Sequence, residues 1–374
     1  MMVSRGRIVL VALTAVVVTL LALAPASFGA ITPVSPPGDR VVVGSNFVPR
    51  FTYADVDDTT GDYFLAAAIT SNGINRLEKR DSANARVWLG GVGSGIAGSG
   101  TQMSITGVAV DPSAGLVYIT GKNRLAAFDS STGAFVRAWG YGVATGAATF
   151  EVCTTTCFNG LSGVGPGQFG LAGNGVTVDA SGNVLVATAV NSRAVAKIMK
   201  FTSAGALVAE YDISPYVPLT LARAPRDIEV NSAGDIFVLW ADGKVYRFDS
   251  SGGFIEKIGV AFGPGYISPF APMVPGPSGL AIDQSDDHVF VGANTNNYVV
   301  EFDENGDFVQ VFGIGVNPAT PATFSSCSVG CVYGKAADRS GGVRGAQDII
   351  IDPLGRLGVI THASVRDKVQ WFTR

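Results

Sequence analysis

Residues 107–140 read GVAVDPSAGLVYITGKNRLAAFDSSTGAFVRAWG. The stretch opens on an alternating apolar run that ends at Asp111, and Pro112-Ser113-Ala114-Gly115 supplies the residues a tight reversal needs. A second apolar run follows, a third ends on Phe128, and Asp129-Ser130-Ser131-Thr132-Gly133 turns the chain into a fourth. Four short antiparallel strands with no helical period describe one blade of a β-propeller.

The same order returns as GVTVDASGNVLVATAVNSRAVAKIMKFTSAGALVAEYD at 175–212, DIEVNSAGDIFVLWADGKVYRFDSSGGFIEKIG at 227–259 and GLAIDQSDDHVFVGANTNNYVVEFDENGDFVQVFG at 279–313. It returns in part at 348–372, and a worn copy occupies 53–90. The residue before the first turn is Asp57, Asp111, Asp179, Asn231, Asp283 and Asp352 in the six copies. The chain is therefore expected to be all-β, a six-bladed β-propeller of four-stranded antiparallel blades.

The pattern G-[VIL]-A-[VI]-D-x-x-G-x-[VI]-x-V, then F-D-x-x-G-x-F-[VI], resembles NHL repeats and covers the chain from about residue 40 to its end. The resemblance implies six blades and a ligand site on the face carrying the loops between second and third strands. It departs where NHL repeats carry Ala-Asp at the end of the second strand: Thr120, Thr188, Trp240, Gly292 and Thr361 stand there instead. It therefore speaks for fold more than for a shared ligand.

Arg5 and Arg7, the uncharged run from Ile8 to Ala24, and Ala24-Pro25-Ala26 read as a secretory signal over residues 1–26, with a membrane anchor through 8–24 as the alternative. Residues 27–374 are expected to be a single propeller, monomeric, secreted or on the exterior of the cell envelope. Losing those two arginines and no acid takes the formal charge from −4 to −6, with no basic cluster. Nucleic acid and anionic membrane surfaces are thus not the expected partners.

The last copy stops after its third strand, so an N-terminal strand is needed to close the ring, and Arg40 to Gly44 (RVVVG) is the expected one. Successive turn residues are 54, 68, 52, 52 and 69 apart, and the two long steps hold inserts at 141–173 and 314–345. Each insert contains G-x-G-V, then A-T-F, then C-x-x-x-C, and each follows the fourth strand of its blade, 2 or 5, opposite in the ring. A duplicated three-blade unit explains this, and both inserts are expected to rise beside the central mouth. In an exported chain Cys153 with Cys157 and Cys327 with Cys331 read as disulfides that shape their loops; a four-cysteine zinc site is the alternative.

Gly93, Gly95 and Gly98 match G-x-G-x-x-G, but a strand rather than a helix follows. His288 begins a second strand on the face away from the inserts and reads as a partly exposed strand residue; His362 lies just past the end of one, on the insert side. The first inner-strand position is Gly107, Gly175 and Gly279 in three copies but Asp227 and Asp348 in two, and two residues on stand Asp55 and Glu229. Asp55, Asp227, Glu229 and Asp348 form a candidate acidic ring of the oxygen donors that suit calcium, with Asp227, Asp348 and His362 as candidate catalytic groups. The alternative reading is that each Asp accepts backbone amides of a neighbouring blade. By resemblance, lyase-type relatives hold zinc with several histidines, a set that two histidines do not supply, whereas lactonase-type relatives use carboxylates around calcium.

Two functions remain open. One is a non-enzymatic binding or scaffold module that recognises a protein, peptide or glycan on the insert face. The other is a calcium-dependent hydrolase or lactonase, or a lyase, with an acidic site at the mouth.

Overall fold

The computed structural model describes residues 31–33, 51–67, 76–91, 105–121, 123–170, 172–190, 195–219, 224–259, 277–336, 342–362 and 367–374; the N-terminal apolar run, Arg40 to Gly44 and Gly93 to Gly98 lie outside them. Ile31–Arg374 form one compact unit. Six antiparallel sheets begin with the inner strands Phe51–Val56, Ile105–Asp111, Ala172–Val178, Pro225–Val230, Pro277–Ile282 and Ala346–Ile351. Each inner strand packs on the next and the sixth packs on the first, so the sheets are blades around a central channel.

The apolar side chains form six cores rather than one, each at the seam between consecutive blades. Phe64, Ala66 and Leu77 of blade 1 meet Val108, Val117 and Ile119 of blade 2, and Phe51, Tyr63 and Leu65 meet Ile350, Ile360 and Trp371 of blade 6. This explains why second strands such as Val184–Val190 are buried along their whole length: both faces lie against another sheet. The hairpin glycines serve the same packing. Gly133 has φ 71°, and a Cβ there would lie 2.9 Å from the Trp88 ring of the preceding blade.

The ring closes as expected in kind but at a different place. Thr32 and Pro33 pair with Thr373 and Phe372 at the outer edge of blade 6, and Ile31 is buried between blades 5 and 6. Only eight residues before RVVVG, this segment was hidden in the sequence because two residues carry no strand pattern. A polar clasp lies nearby: Arg374 Nη2 donates to Asp286 at 2.8 Å and to Glu301 at 3.2 Å, and Nη1 donates to Asp283. His288 belongs to it as well. It is 2% exposed rather than partly open to solvent, with Nδ1 2.8 Å from Glu301 Oε1, and Gln310 donates to the other Glu301 oxygen at 2.7 Å.

Both inserts contribute a fifth strand, Phe150–Cys153 on blade 2 and Phe324–Cys327 on blade 5, paired to the outer edge of the blade. Their first halves therefore lie at the rim rather than beside the mouth. The cysteines form two disulfides, with Cα separations of 5.7 and 5.6 Å, and all four are buried in seam cores. The two inserts are built alike. Asn123 (φ 60°) donates from Nδ2 to Gly160 O, and Asn297 (φ 57°) does the same to Gly334 O. Phe158 N and Leu161 N bond Val143 O and Tyr141 O, as Val332 N and Lys335 N bond Val316 O and Ile314 O.

Candidate functional site

Two regions are candidates: the acidic channel and the surface of the inserts. In the channel, the inner-strand periodicity of two turns Asp55, Asp227, Glu229 and Asp348 toward the centre, and each Asp reaches across a seam. Asp348 Oδ2 accepts from Ala54 N of blade 1 at 2.7 Å, Asp55 Oδ2 from Val110 N of blade 2 at 2.7 Å, and Asp227 Oδ2 from Leu280 N of blade 5 at 2.9 Å. Their second oxygens accept the next amide in their own strands, from Ile349, Val56 and Ile228. Glu229 Oε2 accepts from Thr177 Oγ1 of blade 3 at 3.1 Å.

The glycines at the same level follow from this geometry. A Cβ on Gly175 would lie 2.8 Å from Asp227 Cα, and one on Gly279 2.5 Å from Asp348 Cα, so the blade preceding each inner Asp has no room for a side chain.

Burial governs the protonation of these acids. It pushes Asp55 up to about 8, against the amide of Val110 and with help from the charge of Asp58. Asp227 rises to about 7 by burial, opposed by the amides of Leu280 and Ile228. Burial and the charge of Asp227 hold Glu229 and Asp348 well above the usual carboxylate range. Tyr53, at the first inner position of blade 1, was missed in the sequence because the first copy is worn; burial, then Asp348 and Asp227, push its hydroxyl up to about 12.

Among the described residues no three His, Cys, Asp or Glu side chains are placed to hold a metal ion together. His362 is the last residue of its strand, with Asp367 as its Cα partner, and its side chain lies outside the described set. A cavity of about 550 Å³ continues from Asp55, Thr177 and Glu229 to the turns at 283–285 and 352–355, which lie on the face opposite the inserts. Two of its acids are already paired there, Asp283 by Arg374 and Asp352 by Arg356.

On the inserts, large apolar side chains stand in solvent. Val152, Phe158 and Leu161 are 41–46% exposed on one, and Val332, Tyr333 and Val329 are 37%, 42% and 74% exposed on the other. The sequence signal was available: Phe158 follows Cys157 directly, and Val332-Tyr333 follow Cys331. Beneath the first insert, the fully buried Arg124 donates from Nη1 to Cys157 O at 3.2 Å and to Phe158 O, which fixes the backbone that carries the exposed Phe158.

No family model matches the chain, and no curated protein does. Among solved structures it is similar to a protein of unknown function from Bacteroides caccae, at 12% identity and TM-score 0.46 over 78% of this chain and 80% of that one. It is similar to a chain of the nidogen/laminin complex at 11% identity and TM-score 0.43, over 71% and 80%, and to Kuenenia stuttgartiensis hydrazine synthase at 11% and 0.49, over 88% and 97%. Likenesses of this order bear on neither ligand nor activity.

Proposed function

We propose that this propeller is a non-enzymatic binding module of the cell exterior, exported by its N-terminal segment, that recognises a protein, peptide or glycan through its two disulfide-pinned inserts. The blade grammar supports an NHL-type repeat. The observation that carries the binding reading is the exposure of Phe158, Leu161, Val332 and Tyr333 on loops that disulfides and hydrogen bonds hold in one shape. Rigid apolar side chains at a surface lose little freedom on contact, and that is what a recognition surface needs. A calcium-dependent hydrolase draws no such support, because each channel aspartate gives both oxygens to backbone amides.

The test is a quadruple variant, Phe158→Ser, Leu161→Ser, Val332→Ser and Tyr333→Ser. Its retention on glycan arrays and on cell-envelope fractions is compared with that of the parent. The reading expects binding to be lost at an unchanged Tm; equal retention by both proteins would sink it.

A further inference from the structure

The first inner-strand position is Asp in blades 4 and 6 and Gly in blade 5 between them, and this alternation brings two carboxyl groups together. Asp227 reaches forward to Leu280 N at 2.9 Å. Asp348 reaches back over Gly279, where a Cβ would lie 2.5 Å from Asp348 Oδ1. Both carboxyl groups are thus brought against the Gly279-Leu280 backbone of blade 5, and Asp348 acts on Asp227 there as a hydrogen-bonding neighbour that lowers it against burial. A hydrogen bond between two carboxyl groups requires one proton, because two carboxylates at that range repel.

We propose that Asp227 and Asp348 share one proton and form a pH-sensitive clasp over blade 5, which holds the insert-side end of the ring shut when protonated and loosens it when the proton leaves. Blade 5 carries the second insert, so the clasp sets how firmly that insert is mounted. The ionisable groups facing the pair are Tyr53 and Asp55 from the inner strand of blade 1, and Glu229 and Arg226 from the strand of Asp227 itself. Among the described residues the inner strands of blades 2, 3 and 5 bring only Asp111, which lies at the far end of its strand. Tyr53 stays neutral over the relevant range, and Asp55 and Glu229 add repulsion as they ionise.

In the unfolded chain both aspartates ionise near about 4, whereas in the fold Asp227 is pushed up to about 7 and Asp348 stays well above its ordinary range. At this pair the fold then binds more protons than the unfolded chain, so the stability the pair contributes is complete below about 4 and is lost as the pH rises through the folded values. Each proton involved changes the folding constant by roughly ten-fold per pH unit inside that window.

The experiment is denaturant unfolding of the protein between about pH 5 and pH 9, with amide exchange at Leu280 and Ala54 followed alongside. The parent is expected to lose stability with rising pH, and its exchange at both amides is expected to quicken beyond the chemical trend. Asp348→Asn removes one acid of the pair and flattens the decline, while Glu229→Gln leaves the pair and keeps most of it. An unchanged decline in Asp348→Asn, or exchange that follows the chemical trend alone, overturns the clasp. Should Asp348→Asn not fold, the carboxyl carbon shifts of the parent decide: two separated steps support a shared proton, and two titrations at the ordinary value overturn it.

Discussion

Asp55 spans a seam with one side chain, and the consequence of losing it is specific. Asp55→Ala leaves Val110 N and Val56 N without their acceptor, which costs about 2 kcal/mol in denaturant unfolding. Glu229→Gln keeps an acceptor for Thr177 and removes a charge that burial disfavours, so its stability at neutral pH stays within about 0.5 kcal/mol of the parent. The turn aspartates act in the opposite sense. Hydrogen bonds from Ser131 and Thr132 hold Asp129 down at about 2, and Asp57 and Asp179 are also lowered, against burial, by bonds from Thr59 and from Lys200 and Asn183. Their contribution is present above about 4 and disappears as the pH falls through their folded values, so unfolding curves taken below about pH 4 should show falling stability. These aspartates were legible in the sequence because each acts on its own turn. The meeting of Asp227 with Asp348 was not, since it depends on two blades leaning over the glycine of a third.

The fifth strands show where reading by element stops. Blades were legible because apolar alternation, an Asp-rich turn and an aromatic recur in register; Phe150–Cys153 and Phe324–Cys327 are four residues each, interrupted by Ser, Glu and Cys. Their pairing depends on the free edge left by Phe135–Tyr141 and Phe308–Ile314, which only the folded blade presents. The cysteine pairs were legible as disulfides, but their burial in the seams was not. Removing one pair by Cys153→Ala and Cys157→Ala should lower stability by about 2 kcal/mol from loop closure alone, with a further loss from the vacated core positions. A calorimetric Tm that does not move would show that the packing of the fifth strand alone holds the insert.

At the scale of the molecule, six seam cores and six inner strands make each blade depend on both neighbours. Deleting residues 27–33 removes the segment paired with Phe372 and Thr373 and the buried Ile31, so the whole domain is expected to melt earlier, in one transition. Arg374→Ala is expected to cost roughly 3 kcal/mol, because it strips a cation from Glu301, which is 1% exposed, and from Asp283; the measure is denaturant unfolding at neutral pH. Six blades could be counted from the repeats, whereas Thr32-Pro33 and Arg374 are too short and too far apart in sequence to announce themselves.

That closure also says how the ring answers to force. Among the described strands, the first and the last lie side by side with two residue pairs between them, while second and third strands within the blades share four to seven. Pulled by its two ends, the domain would unzip at this join before any other, so blade 6 is the one that peels away first. A tether at either end would load the weakest hinge of the disc, and one placed on the rim strands of blades 2 or 5 would spare it.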